Sequence, residues 1–234
     1  MNQWGEIKKL AIVEADDFQD KYDRNGLEML FYWKAKYPKF KISLFTIPNR
    51  ISEEMLELLS DHTDWLEFLV HGWDHESNFE CYEWDYQKAK DLIHRVYTKG
   101  NPVKYGDRGA FEKFFKAPGW SITPKYNGYP AEVVTNSPLK DDPQAVYRAL
   151  IDTNFVIFDR HYNKPARPKD AQIVCVDCQE DLIHMHTWNV PADLKGKNGF
   201  KDVEELHGVP WNQDTEFVFV SEAWEEGLFK ECQP

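Results

Sequence analysis

The chain has 234 residues, 42% hydrophobic and 29% charged, with a formal net charge of −12; it is long enough for one sizeable core and short for two, so a single domain over 1–234 is expected. The acidic balance and the absence of a Lys/Arg cluster argue against nucleic acid and against an anionic membrane surface. No window approaches the ~18 uninterrupted apolar residues of a membrane span, and "MNQWGEIKKLAIVEADD" lacks an apolar stretch followed by small residues, so a cytoplasmic chain is expected.

Apolar runs of strand length alternate with helical patterns. "KKLAIVE" (8–14) reads as a first strand, and Asp16 and Asp17 follow it. Residues 24–37 carry Leu27, Leu30 and Phe31 at helical spacing before Pro38 ends the run. "KISLFTI" (41–47) is the second strand, and 52–60 a helix with Ser52 as N-cap. "WLEFLVH" (65–71) is the third strand; it stops at His71, and His75 comes four residues later. A helix is expected over 84–98, a strand at "FEKFFKA" (111–117) running into "PGW", and a helix over 143–153. Four more strands are expected at "NFVIFDR" (154–160), "AQIVCVD" (171–177), "DLIHMHTW" (181–188) and "EFVFVSE" (216–222). This alternation predicts a parallel α/β sheet, and seven or eight strands fit a barrel better than a short open sheet. Of the four cysteines, Cys175 and Cys178 form a C-x-x-C at a strand end. Without a second pair this is a weak zinc signal, and buried or half-buried thiols are expected.

Four strand ends carry ligand-type residues. They are Asp16 and Asp17, then His71 and His75, then Lys116 with Pro118, Gly119 and Trp120, and finally His184 and His186, which alternate on one strand face. In parallel barrels the C-terminal strand ends form the active face. Each stretch alone is ordinary: an Asp-Asp pair is usually a turn or cap, and H-x-H in a strand is common. Their joint order is what points to chemistry. Two imidazoles at i and i+4 would stack on one face of a helical turn, close enough to share a cation. Gly72 stands where H-E-x-x-H needs Glu, so a helical zinc-protease motif is excluded. A third ligand from the Asp16–Asp17 pair would complete the three-ligand shell of a catalytic zinc. Cobalt, nickel, iron and manganese suit the same donors.

The order of these motifs resembles the polysaccharide deacetylase superfamily, the NodB-like carbohydrate esterases, over about residues 8–190. The resemblance implies a distorted (β/α) barrel of about seven parallel strands and a metal-dependent hydrolase that removes an N-acetyl group from an amino sugar or polysaccharide. It implies Asp16 as catalytic base and Asp17, His71 and His75 as metal ligands. Lys116 falls where the family has Arg, keeping the charge but losing the planar fork. The family's T-F-D-D appears as "EADD", which leaves the carboxylates and alters their packing. The late catalytic histidine implied by the resemblance is His184 or His186; His186 is favoured because it lies nearer the strand end, whereas counting from Leu182 would favour His184. Asp159 is the candidate for the family's fourth-motif Asp. Trp73, Trp120 and Trp188 lie close to these motifs and suit stacking on sugar rings, or packing of the barrel rim. A sugar-binding barrel with a degraded site, and a metal amidohydrolase acting on a non-sugar substrate, are the competing readings. The sequence sets no oligomeric state.

Overall fold

The computed structural model describes residues 8–20, 26–98, 110–123, 137–186 and 209–231. Strand β1 (Leu10–Phe18) is followed by helix α1 (Leu27–Lys36), β2 (Ile42–Thr46), α2 (Glu53–Leu59), β3 (Leu66–His71) and α3 (Tyr86–Thr98). Then come β4 (Phe114–Lys116), α4 (Ala145–Asp152), β5 (Val156–Asp159), β6 (Gln172–Cys175), β7 (Leu182–His186), β8 (Glu216–Val218) and α5 (Val220–Glu225). All pairings are parallel, and the strands follow the order β6-β5-β4-β3-β2-β1-β7. β8 pairs with Leu10–Ile12 on the opposite edge of β1 from β7, which pairs with Ile12–Asp16. Seven parallel strands thus form a curled half-barrel with α1–α4 packed outside, the distorted (β/α) barrel expected.

Local chemistry accounts for most element ends. Ser52 caps α2 by accepting a hydrogen bond from the Met55 N–H at 3.0 Å. The alternation Phe217/Phe219 makes 216–222 look like one strand, yet the strand stops at Val218 and α5 begins. The Glu222 carboxylate accepts the Phe219 N–H at 2.8 Å and so caps the helix, while Val220 and Ala223, three apart, both pack into the barrel interior. The cysteine expectation is corrected at one position: Cys81 and Cys175 are free and buried, but Cys178 is disulfide-bonded. Disulfides persist more readily in oxidising surroundings than in the cytoplasm, so this bond gives the expected cytoplasmic location no support.

Side chains of each strand divide between two layers, as the two-residue period requires. Ala11, Val13, Leu44, Phe68, Val70, Phe115 and Ile157 pack outward beneath the helices. Ile12, Phe45, Leu69, Phe114, Phe158 and Val174 point inward, with Val220 and Ala223 of α5 packed among them. Continuing the inward-facing positions toward the C-terminal strand ends gives Glu14 and Asp16 after Ile12, His71 after Leu69, Lys116 after Phe114, and His184 and His186 after Leu182. The interior is therefore apolar in its middle and polar at one mouth.

At the other end of the interior lies Glu67, 7% exposed, accepting a hydrogen bond from Ser43 Oγ at 2.6 Å. Burial, only partly offset by the Ser221 and Ser43 hydrogen bonds, pushes its carboxyl from 4.5 up to about 7. The native state thus favours the protonated acid. Its stabilising effect is complete below the unfolded value and is lost as pH rises through about 7. Glu67→Gln, neutral at every pH, should therefore be more stable than the parent at pH 8 by about 2–3 kcal/mol and nearly level with it at pH 4.5. Urea denaturation at both pH values checks this; an equal gap at both would contradict it.

Candidate active site

The Asp16–Asp17 pair occupies an irregularity in β1. Ala15 pairs with Leu44 and Phe18 with Thr46, so β1 advances three residues while β2 advances two. Such a bulge re-aims side chains that would otherwise alternate between faces, and Asp17 adopts the left-handed conformation (φ 63°) that Asp tolerates better than most residues. Both carboxylates consequently serve the same mouth. Of the four described non-glycine residues with positive φ, three are Asp17, His75 and Trp120. Backbone strain of this kind gathers at functional sites.

His71 and His75 do converge, though through a loop and not through the helical turn expected. His71 is the last residue of β3. Gly72 then turns with φ 62°, where a Cβ would lie 2.4 Å from Glu80 Oε2 and 2.7 Å from Pro118 Cγ, so only glycine fits. The Glu80 carboxylate accepts the N–H groups of Trp73 (3.1 Å), Asp74 (2.8 Å) and His75 (2.9 Å) and shapes the rest of the loop. His71 Nδ1 is 3.0 Å from the Lys116 carbonyl. Because a carbonyl only accepts, Nδ1 carries the proton and Nε2 is free to act as a ligand.

Asp17 Oδ1 lies 3.2 Å from His71 Nε2 and 3.1 Å from His75 Nε2. Ligands about 2.0–2.1 Å from a tetrahedral ion stand roughly 3.3 Å apart, so one carboxylate and two imidazoles fit a divalent transition metal with an open position. Burial would raise the Asp17 carboxyl, but the hydrogen bonds and charges of His71 and His75 hold it well below the usual carboxylate range. Asp16, His184 and His186 form a second close cluster. There Lys116 Nζ sits 2.6 Å from Asp16 Oδ1, and an ammonium beside the carboxylate opposes a further cation.

Lys116 is wholly buried and bridges Asp16 and Glu14, the latter at 2.5 Å. Its Nζ also stands 4.0 Å from the Phe45 ring centroid and 4.6 Å from that of Trp120, a cation–π contact on two sides. Burial alone would raise the Asp16 carboxyl, yet Lys116, with His71 and His184, lowers it to about 2. Asp16 is therefore ionised across the neutral range. His184 Nδ1 is 2.8 Å from Glu14 Oε1, and its Nε2 is 3.9 Å from Asp16 Oδ2. Burial pulls the His184 pKa down, but the Glu14 charge and hydrogen bond outweigh it and the net shift is upward. For His186, 3.9 Å from Asp17 Oδ2, burial prevails and the shift is downward.

The remaining candidates stand further back. Trp120 meets the His184 ring edge-on at 5.7 Å between centroids. Trp73 lines an adjoining cavity of about 380 Å³ together with Trp84, Asp74 and Glu80. Asp159 is taken up by Tyr147 (2.6 Å), Asn163 (2.6 Å) and Arg167 (2.9 Å). Asn163 in turn donates to the Trp120 carbonyl at 3.1 Å, so Asp159 braces the "PGW" loop. Trp188 lies outside the described residues. Glu14 and Glu80 also shape this mouth, and the sequence assigned neither of them a role. Glu14 could have been found, because a lone acid in an apolar strand, two residues before Asp16, must share its face; Glu80 has no comparable signal.

The fold is shared with one solved structure of low sequence identity, and two others show weaker likeness. A family 4 acetyl xylan esterase from Clostridium thermocellum, in complex with a cobalt ion, superposes with a TM-score of 0.54 at 13% identity, covering 95% of this chain and 93% of that one. A family 4 carbohydrate esterase from Streptomyces lividans in complex with acetate gives 0.43 at 11% identity, covering 79% and 82%. A T48 deacetylase with substrate gives 0.41 at 14% identity, covering 96% and 94%. No family model matches the sequence, and no curated protein matches it.

Proposed function

We propose that this chain is a metal-dependent hydrolase that removes an N-acetyl group from an amino sugar or polysaccharide. The observation that carries the reading is the convergence of Asp17, His71 and His75 at the same barrel mouth as Asp16 and His184. The likeness to a barrel named as an acetyl xylan esterase and solved with cobalt supports acyl-transfer chemistry at such a mouth. A divalent cation such as zinc or cobalt held by Asp17, His71 and His75 would polarise an acyl oxygen and acidify water.

The chain's own residues do the rest. Asp16, ionised and fixed by Lys116, accepts the proton of the attacking water. An amine leaves poorly unless it is protonated, so a proton donor is needed on the opposite side of the scissile bond. We place that role on His184 in preference to His186, because its Nδ1 is held by a buried carboxylate and its Nε2 faces Asp16. His186 stands closer to the cation ligands and borders the same space. Trp120, beside His184, offers an apolar face to a pyranose ring. Glu14 and Lys116, the two departures that would favour a degraded, merely sugar-binding barrel, hold each other at 2.5 Å and so speak for a working site.

Acetate release from N-acetylglucosamine oligomers is the direct test. Turnover should fall to background in chelator and return with zinc or cobalt, and Asp16→Asn should lower it by about 10²–10⁴-fold. Chelator-insensitive release, or an unimpaired Asn variant, would exclude this mechanism.

A further inference from the structure

Glu14 has no exposed surface and lies mid-strand in β1. A buried carboxylate is costly unless it is paired and hydrogen-bonded. Both its oxygens are engaged: Oε2 with Lys116 Nζ at 2.5 Å and Oε1 with His184 Nδ1 at 2.8 Å. The β1–β7 register sets Glu14 directly beside His184. Asp159, buried at the end of β5, is occupied by Tyr147, Asn163 and Arg167.

We infer that Glu14 is the positioning residue of the proton donor, orienting His184 so that Nε2 delivers the proton to the departing amine. The inference rests on the deacylase reading above and specifies how its acid is built. A carboxylate accepting from Nδ1–H fixes the tautomer, turns Nε2 toward the reaction and stabilises the imidazolium. Charge counting agrees, since the two carboxylates Glu14 and Asp16 exceed the single ammonium of Lys116 by one negative charge, which a protonated His184 balances. When the C–N bond breaks, its electron pair stays on nitrogen, Nε2 gives up its proton to that nitrogen, and Nδ1–H remains bonded to Glu14. Water supplies the hydroxyl of the released acid and leaves its other proton on Asp16, so atoms and charge balance.

The leaving group supplies the test. Amide cleavage needs the proton, whereas an activated aryl ester such as 4-nitrophenyl acetate expels a stable phenolate without it. In metal-loaded protein, Glu14→Gln should lower kcat on N-acetylglucosamine oligomers by about 100-fold or more, and this loss should exceed the loss on the ester by at least roughly tenfold. His184→Asn, at a side chain 37% exposed, should show the same split, and the double variant should lose no more than either single one. Equal losses on amide and ester would mean a merely structural Glu14 and overturn the inference, as would additive losses in the double variant. Should Glu14→Gln fail to fold, ¹⁵N NMR of the metal-free parent decides: a protected Nδ1–H on His184 supports the inference, and an Nδ1 that carries no proton overturns it. A parent that cleaves neither substrate overturns the deacylase reading and this inference together, whereas cleavage of both with no split removes this inference alone.

Discussion

Lys116→Met should destabilise the fold by about 3–5 kcal/mol, the usual consequence of leaving buried charges without their partner. For a chain of this size that corresponds to a thermal midpoint lower by roughly 6–20 °C. The cause is local: Glu14 and Asp16 would be left buried side by side, with only the imidazoles of His71 and His184 to offset them. The sign of the pH dependence should invert as well. In the parent, Asp16 titrates at about 2, below its unfolded 3.8, so its contribution is present above the unfolded value and is lost as pH falls through about 2. Without the ammonium, burial dominates and raises the Asp16 carboxyl, so the variant should regain stability on moving from pH 7 toward pH 4. Lys116→Arg restores the charge but must fit a guanidinium between the Phe45 and Trp120 rings, at an overpacking cost of about 1–3 kcal/mol. Thermal melts of the three proteins at pH 7 and pH 4 check this. A methionine variant as stable as the parent at pH 7 would refute the charge-bridge account.

Asp17→Asn should abolish stoichiometric cation binding and lower acetate release by more than about 100-fold, since partners one shell beyond a metal already command 10–100-fold. Asparagine makes this a clean probe. Position 17 has φ 63°, a conformation Asn adopts as readily as Asp, so the backbone is kept while the anionic ligand is lost. Alanine there would add strain and blur the result. Cobalt or zinc titration of the apo-protein, read by metal content after gel filtration, separates loss of the ion from loss of chemistry. A variant that retains both ion and turnover would remove Asp17 from the site.

The barrel was legible because its strands are near-continuous apolar runs separated by helices with regular spacing, and that pattern survives in every sheet pairing from β1 to β7. The proposed cation ligands were legible because they gather at strand ends in a fixed order. What the sequence concealed depends on register and loop closure. The helical-turn expectation for His71 and His75 failed because periodicity cannot see Glu80, which gathers three loop N–H groups from five to seven residues away. Lys116 and the "EADD" stretch read as two separate losses because their contact spans about a hundred residues of chain. In the fold they compensate each other. The sequence favoured His186, and our proposal of His184 instead rests on a strand pairing, Glu14 with His184, that no local pattern encodes. The C-terminal segment misled for a different reason: aromatic alternation at Phe217 and Phe219 mimics a strand, and only the Glu222 cap shows where it ends.

The placement of β7 against β1 also sets an order of completion during synthesis. Asp16, Asp17, His71 and His75 all emerge within the first 75 residues, whereas His184 lies more than a hundred positions later. A nascent chain therefore carries the proposed cation ligands long before the proposed proton donor, which arrives with β7. Contacts of such long sequence separation form slowly, so on the proposed reading a chain cut before β7 should bind the cation and hydrolyse nothing.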